Sequence, residues 1–249
     1  MTTRAKYRGS VQTFYDDGQS YETVERMSGL RFIEDFVGAG AQVIPAVGSA
    51  VDGFPWVKKL VETAGTPTVA GVANAGGGIM QCALDATSEK QEATLYWGDS
   101  KGLDVTKGFI VEWRANLHVL PSVAGVEAVF GVSSSWIDGP DNAAEYLEFG
   151  ANGSGAINLR SQDGTTQNSI ASGVTVVADG WHVYRIDAVD LTDIKYFIDG
   201  VQVSATNALA FAATGANAIL QPYASVYKAA GVGVATLQLD YVKAFMNRS

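Results

Sequence analysis

The sequence predicts an all-β protein: a two-sheet antiparallel β-sandwich, or jelly roll, preceded by an extended N-terminal arm. Three observations predict it. Apolar residues recur at every second position from Gly78 onward, Gly, Asn and Asp clusters cut that pattern into short runs, and helical periodicity is scarce. The 249 residues are 47% apolar and 10% aromatic, enough for one sizeable core that folds without disulfides or metals. No fixed-period repeat and no low-complexity linker divides the chain, so residues 1–30 are read as the arm and 31–249 as one domain.

The arm carries Arg4, Lys6 and Arg8, then Asp16, Asp17, Glu22 and Glu25, with little apolar periodicity. Phe14, Tyr15 and Tyr21 give it surface with which to dock. Between Gly29 and Gly77, Gly, Ala and Pro blur the period. Within this stretch Trp56–Ala64 (WVKKLVETA) fits either two helical turns or an irregular strand, bounded by Pro55 on one side and Gly65 and Pro67 on the other. Phe109–Val119 (FIVEWRANLHV) alternates cleanly, with Phe109, Val111, Trp113, Ala115, Leu117 and Val119 on one face. Further runs of strand character are 79–86, 93–97, 126–132, 145–149, 156–159, 181–187, 194–198, 201–203, 218–226 and 235–246. In Tyr196–Val203 (YFIDGVQV), Asp199-Gly200 sits between two β-rich runs, which predicts a two-residue type I′ hairpin.

Charge and composition exclude several functions. Seventeen Lys and Arg against 26 Asp and Glu leave a net charge of −9, which opposes a phosphate-tracking surface and therefore a nucleic-acid partner. The apolar stretch Val69–Met80 is interrupted by Gly, Asn and Ala well short of the roughly 18 residues of a membrane span. The lone Cys82 forms no intrachain bridge, and its apolar neighbours predict a buried, inert thiol. Met1–Ser10 has no apolar signal core, so folding in a cytoplasm is expected.

Gly180–Val203 (GWHVYRIDAVDLTDIKYFIDGVQV) resembles the concanavalin A-like lectin and glucanase superfamily, especially family 16 glucanases and laminin-G-like jelly rolls. There a W-H-x-Y-x-I strand, a polar turn and an I-x-F-x-x-D-G hairpin follow one another. Leu239–Phe245 (LDYVKAF) is similar to the strand that closes the same fold. The resemblance implies a curved sandwich whose concave face is a sugar cleft in the glucanases. Retaining hydrolysis there needs two carboxyls about 5–5.5 Å apart, supplied by an E-x-D-x-x-E strand. The nearest stretch, Ala144–Gly150 (AEYLEFG), breaks that motif in either register, and Glu145 and Glu148 point to opposite faces of a regular strand. A non-enzymatic protein is expected.

Other chemistry is sparse. His118 and His182 lie in separate strand patterns without a nucleophile nearby. The Gly-rich Ala75–Ile79 and Gly150–Gly155 and the polar Asp138–Asn142 read as turns. No cofactor is expected, apart from a structural calcium that the resemblance places at Asp240. Of the tryptophans, Trp113 and Trp181 are expected in the core, whereas Trp136, in the polar SSSWIDGPDN, is the expected ligand- or partner-contacting aromatic.

Phe32–Gly38 (FIEDFVG), Thr87–Asp99 and Glu112-Trp113-Arg114 resemble segments of lectin-like jelly rolls in tailed-phage virions. That resemblance implies a phage virion structural protein on the capsid surface, most concretely a decoration or cement protein that stabilises the head. It would be a trimer or dimer bound to the major capsid protein or another virion protein. Arg4, Lys6, Arg8, Phe14 and Tyr15 are the expected contacts to the shell or a neighbouring copy. The alternative is a carbohydrate-binding module on a virion or cell surface, recognising a glycan through the concave face and Trp136.

Overall fold

The computed structural model describes residues 3–8, 11–16, 22–25, 29–37, 44–46, 55–206 and 208–247, with side chains described from residue 30 onward. Three short strands, β1 (Thr3–Arg8), β2 (Val11–Asp16) and β3 (Glu22–Glu25), form an antiparallel sheet of their own, so the arm's backbone is a small meander. The side chains of Arg4, Lys6, Arg8, Phe14 and Tyr15 lie outside the described residues; in register, Arg4 stands opposite Tyr15.

Two eight-stranded sheets follow. The first contains β4 (Gly29–Glu34), β6 (Thr68–Gly71), β7 (Met80–Ala83), β10 (Phe109–Val119), β15 (Trp181–Ala188), β16 (Lys195–Ile198), β17 (Val201–Gln202) and β19 (Thr236–Asn247). Its order is β17-β16-β15-β10-β19-β7-β6, with β4 also paired to β19. The second contains β5 (Val57–Val61), β8 (Gln91–Tyr96), β9 (Leu103–Asp104), β11 (Val126–Ser133), β12 (Glu145–Asn152), β13 (Ala156–Asp163), β14 (Gln167–Thr175) and β18 (Ile219–Lys228). Its order is β14-β13-β12-β11-β18-β8-β5, with β9 also on β18.

The period-two pattern builds the core. Phe109, Val111, Trp113 and Ala115 of β10 are fully buried, and they face Phe130 and Val132 of β11 and Leu147 and Phe149 of β12 across the sandwich. Aromatic rings join the layers edge to face: Phe130 and Tyr184 at 4.8 Å, Phe149 and Tyr184 at 5.0 Å, Phe149 and Tyr196 at 5.1 Å. Each such pair adds about 0.5–1.5 kcal/mol beyond its buried area. The Tyr196 hydroxyl also donates to the Arg160 carbonyl at 2.7 Å, a hydrogen bond between the two sheets.

The Asp199-Gly200 turn has φ of 51° and 80°, the two positive values a type I′ hairpin demands. Cys82 is buried, and desolvation pushes its thiol up to about 12, in keeping with an inert side chain. Within Trp56–Ala64 the structure forms strand β5, whose Val57 packs with Tyr96 of β8. The sequence pattern misplaces one tryptophan. Tyr184, Ile186 and Ala188 set the inward phase of β15, so Trp181 falls on the opposite, outer face, where the Arg114 guanidinium lies 4.8 Å from its ring. It also omits β14 (QNSIASGVT), a polar edge strand that buries neither face completely.

Candidate functional site

The outer face of the second sheet, which receives Glu148 of β12, is the candidate cleft side that the resemblance to glucanases suggests. Strand alternation brings polar and aromatic side chains together there. One row of paired positions runs Tyr96, Tyr223, Gly131, Glu148, Arg160 and Ser169 across β8, β18, β11, β12, β13 and β14. Gly131 is required in that row: a Cβ would sit 2.3 Å from the Leu147 carbonyl oxygen and 2.6 Å from Glu148 Cα.

Most of this face is not solvent-exposed. Tyr96, Tyr146, Tyr223, Glu92, Thr94, Ser225 and Glu148 are all buried. Their cover is the chain's own loop at 134–144, between β11 and β12. Trp136 inserts its indole from this loop against Val57, Tyr96, Val129 and Tyr223, with Lys59 Nζ 4.7 Å from the ring centre. Asp138 pairs with Lys90, Asp141 pairs with Arg160, and Asn142 Nδ2 donates to the Asp138 carbonyl at 2.6 Å.

Glu92 is the hub of this closure. Its Oε1 accepts from Trp136 Nε1 at 2.9 Å, Thr94 Oγ1 at 2.7 Å, Tyr223 OH at 3.3 Å and Ser225 Oγ at 3.4 Å, and its Oε2 accepts from the Gly139 N–H at 3.1 Å. A carboxylate with no exposed surface is stable only when its lone pairs are filled in this way. The expected ligand-contacting Trp136 is therefore on the outer face of the second sheet, half-buried, with its N–H donated to Glu92 and its ring packed against Val57, Tyr96, Val129 and Tyr223.

The second cluster surrounds Arg160. Its Nε lies 3.2 Å from Glu148 Oε1 and its Nη1 3.6 Å from Glu127 Oε2, while Nη2 pairs with Asp141. Burial, reinforced by repulsion from Glu127, raises the Glu148 carboxyl well above the usual carboxylate range despite the nearby guanidinium. Glu148 Oε1 meets Arg160 at ion-pair distance without a hydrogen-bond geometry, so it retains an unsatisfied acceptor. A polar depression of 180 Å³ opens beside this cluster, lined by Asn152, Asn158, Gln167 and Ser169 among others.

The remaining sequence expectations fall as follows. β12 pairs with β11 and β13 without a register shift, so Glu145 is in phase with Leu147 and Phe149 while Glu148 is in phase with Tyr146. The strand thus puts one carboxyl on the cleft side, and the residue two positions before it there is a tyrosine. His118 pairs with Asp179, and His182 Nδ1 lies 2.6 Å from Asp199 Oδ2, each at a sheet face. Asp240 lies beside a register shift in the β10–β19 ladder and pairs with Arg114. Among the described residues, no group of three or more His, Cys, Asp or Glu could hold a metal. A calcium at Asp240 would have to share its one carboxylate with that guanidinium, so the residues present do not fit the ion.

Glu92 and Arg160 escape a reading of the sequence. Each sits at an alternating position of a strand, where a charge marks the wet face, and no local signal says that a loop returns to cover it.

No family model matches this chain, and no curated protein matches it. Solved structures do. A protein of unknown function from Shewanella oneidensis MR-1 is similar with a TM-score of 0.57 at 12% identity, over 88% of this chain and 87% of that one. A Bacillus licheniformis β-glucanase is similar with a TM-score of 0.51 at 13% identity, over 89% and 100%. The carbohydrate recognition domain of Emp47p is similar with a TM-score of 0.52 at 13% identity, over 82% and 95%. At these identities the likeness concerns the fold, which enzymes and lectins share. The chain has the concanavalin A-like jelly-roll fold, with the cleft-side face closed by its own 134–144 loop.

Proposed function

We propose that this protein is a non-enzymatic structural component of a phage virion, a capsid decoration protein that clamps the head from outside. The observation that carries the reading is the closed outer face of the second sheet: Trp136 and Glu92 occupy the surface that the resemblance to glucanases makes the candidate cleft. The second cleft-side requirement, a pair of free carboxyls, is also unmet on β12, since Glu148 is buried against Arg160. A rigid sandwich of low charge density with a separate N-terminal sheet suits a clamp, which holds neighbouring subunits by burying area across their joint. The expected contacts are Arg4, Lys6, Arg8, Phe14 and Tyr15, acting on the major capsid protein or a neighbouring copy.

Co-sedimentation with phage heads stripped of their surface proteins tests this reading. Saturable binding at a fixed ratio to the capsid protein, lost on deleting residues 1–20, is the expected result. Absence of binding by the intact chain overturns it.

One observation favours the alternative of a carbohydrate-binding module. The depression beside Arg160 presents Asn152, Asn158, Gln167 and Ser169, amide and hydroxyl groups suited to sugar hydroxyls. Calorimetric titration with β-glucan oligosaccharides separates the readings, because a decoration protein gives no saturable heat. Release of reducing sugar would contradict both.

A further inference from the structure

The outer face of the first sheet carries a groove of 240 Å³ that the proposed function does not use. Its apolar lining includes Ile33, Ile110 and Phe245, and Ile33 is 65% exposed. Beside it stand Arg185 and Lys243 with one acid of the lining, Glu112, in a chain whose net charge is −9. The register aligns part of this set in one row, with Ile33 opposite Lys243, Lys243 opposite Glu112 and Glu112 opposite Arg185.

Arg185 is the informative member. Its guanidinium lies 4.0 Å over the Phe197 ring, its Nε has no hydrogen-bond partner, and no carboxylate pairs with it among the described residues. Lys243 shares Glu112 at 3.5 Å with the Tyr241 hydroxyl at 2.8 Å. Excess positive charge around an apolar floor, on an otherwise acidic molecule, selects an occupant that is both acidic and aromatic.

The chain contains such a segment. Residues 14–25 (FYDDGQSYETVE) hold Asp16, Asp17, Glu22 and Glu25 with Phe14, Tyr15 and Tyr21, and no Lys or Arg. Residues 14–16 and 22–25 belong to β2 and β3, whose sheet pairs with neither sandwich sheet among the described residues. We propose that the groove of one copy receives the acidic, aromatic 14–25 segment of a second copy, so that arm exchange joins the chains into a closed homo-oligomer. This deepens the arm reading above by naming the surface it meets.

Charge reversal in trans tests it on the full-length chain, with light scattering as the readout and thermal melting as the check on folding. The native chain is expected to self-associate, and less so as salt rises from about 50 to 500 mM. Arg185→Glu with Lys243→Glu, and separately Asp16→Lys with Asp17→Lys and Glu22→Lys, each drop the mass to that of the 26.2 kDa monomer. Mixing the two variants restores assembly, because each reversed groove meets a reversed arm. A monomeric native chain, assembly unchanged in either folded variant, or a mixture that stays monomeric overturns the proposal. Failure to bind capsids leaves these results untouched, so the two readings fail separately.

Discussion

Replacing Glu92 by alanine removes the acceptor on which the 134–144 loop closes. Five donors lose their partner. Three are hydroxyls that can rotate to new acceptors, and Thr94 and Ser225 are already 2.8 Å apart. The Trp136 indole N–H and the Gly139 amide cannot turn away without moving the loop. Each buried, orphaned donor costs about 1–3 kcal/mol. Release of the loop into water returns part of that cost, as does removal of a buried charge, which leaves an expected loss of about 2–4 kcal/mol. For a chain of this length the loss corresponds to roughly 5–15 °C in melting temperature. Urea unfolding gives the free energy, and acrylamide quenching of tryptophan fluorescence reports whether Trp136 has been released. A Glu92→Ala variant that unfolds at the native midpoint with unchanged quenching would refute the view that Glu92 holds the face closed.

Three further predictions concern the charged groups. The Glu148 carboxyl is raised by burial, so the folded state holds a proton that the unfolded state releases near its ordinary value of about 4.3. Stability from this site therefore falls as pH rises through that value. Glu148→Gln, which stays neutral, should be more stable than the native protein at pH 8 and equal to it near pH 4, as read from urea midpoints. Arg160→Met leaves the Glu127 and Asp141 carboxylates without their shared cation and should cost about 3–5 kcal/mol at neutral pH, measured by the same unfolding. Chelation with EDTA should leave the melting temperature unchanged, because Arg114 neutralises Asp240; a drop of several degrees, reversed by calcium, would contradict that assignment.

The fold was legible where burial is one-sided. β10 and the Asp199-Gly200 hairpin follow from alternation and turn chemistry, because a strand with one face in the core must write that face into its sequence every second residue. β14 was not legible, since neither of its faces is fully buried and its residues carry no such constraint. Trp181 was misassigned for a related reason: a large aromatic on a strand suggests the core, but the phase set by Tyr184 and Ile186 turns it outward onto Arg114. At the site, the broken acidic motif of β12 could be read from spacing alone. Closure of the face could not, because it depends on a loop meeting Glu92 and Arg160 across strands distant in sequence, and sequence alternation makes both residues look solvated.

Amide hydrogen exchange at Gly139 in the intact protein tests the closed face most directly. Its N–H donates to Glu92 within the loop that covers the cleft side. Exchange slowed by at least about 100-fold relative to an unstructured peptide, corresponding to an opening cost of roughly 2.7 kcal/mol or more, is the predicted result. Exchange at the unprotected rate would mean that the loop stands open and that the face beneath it is free to take a ligand.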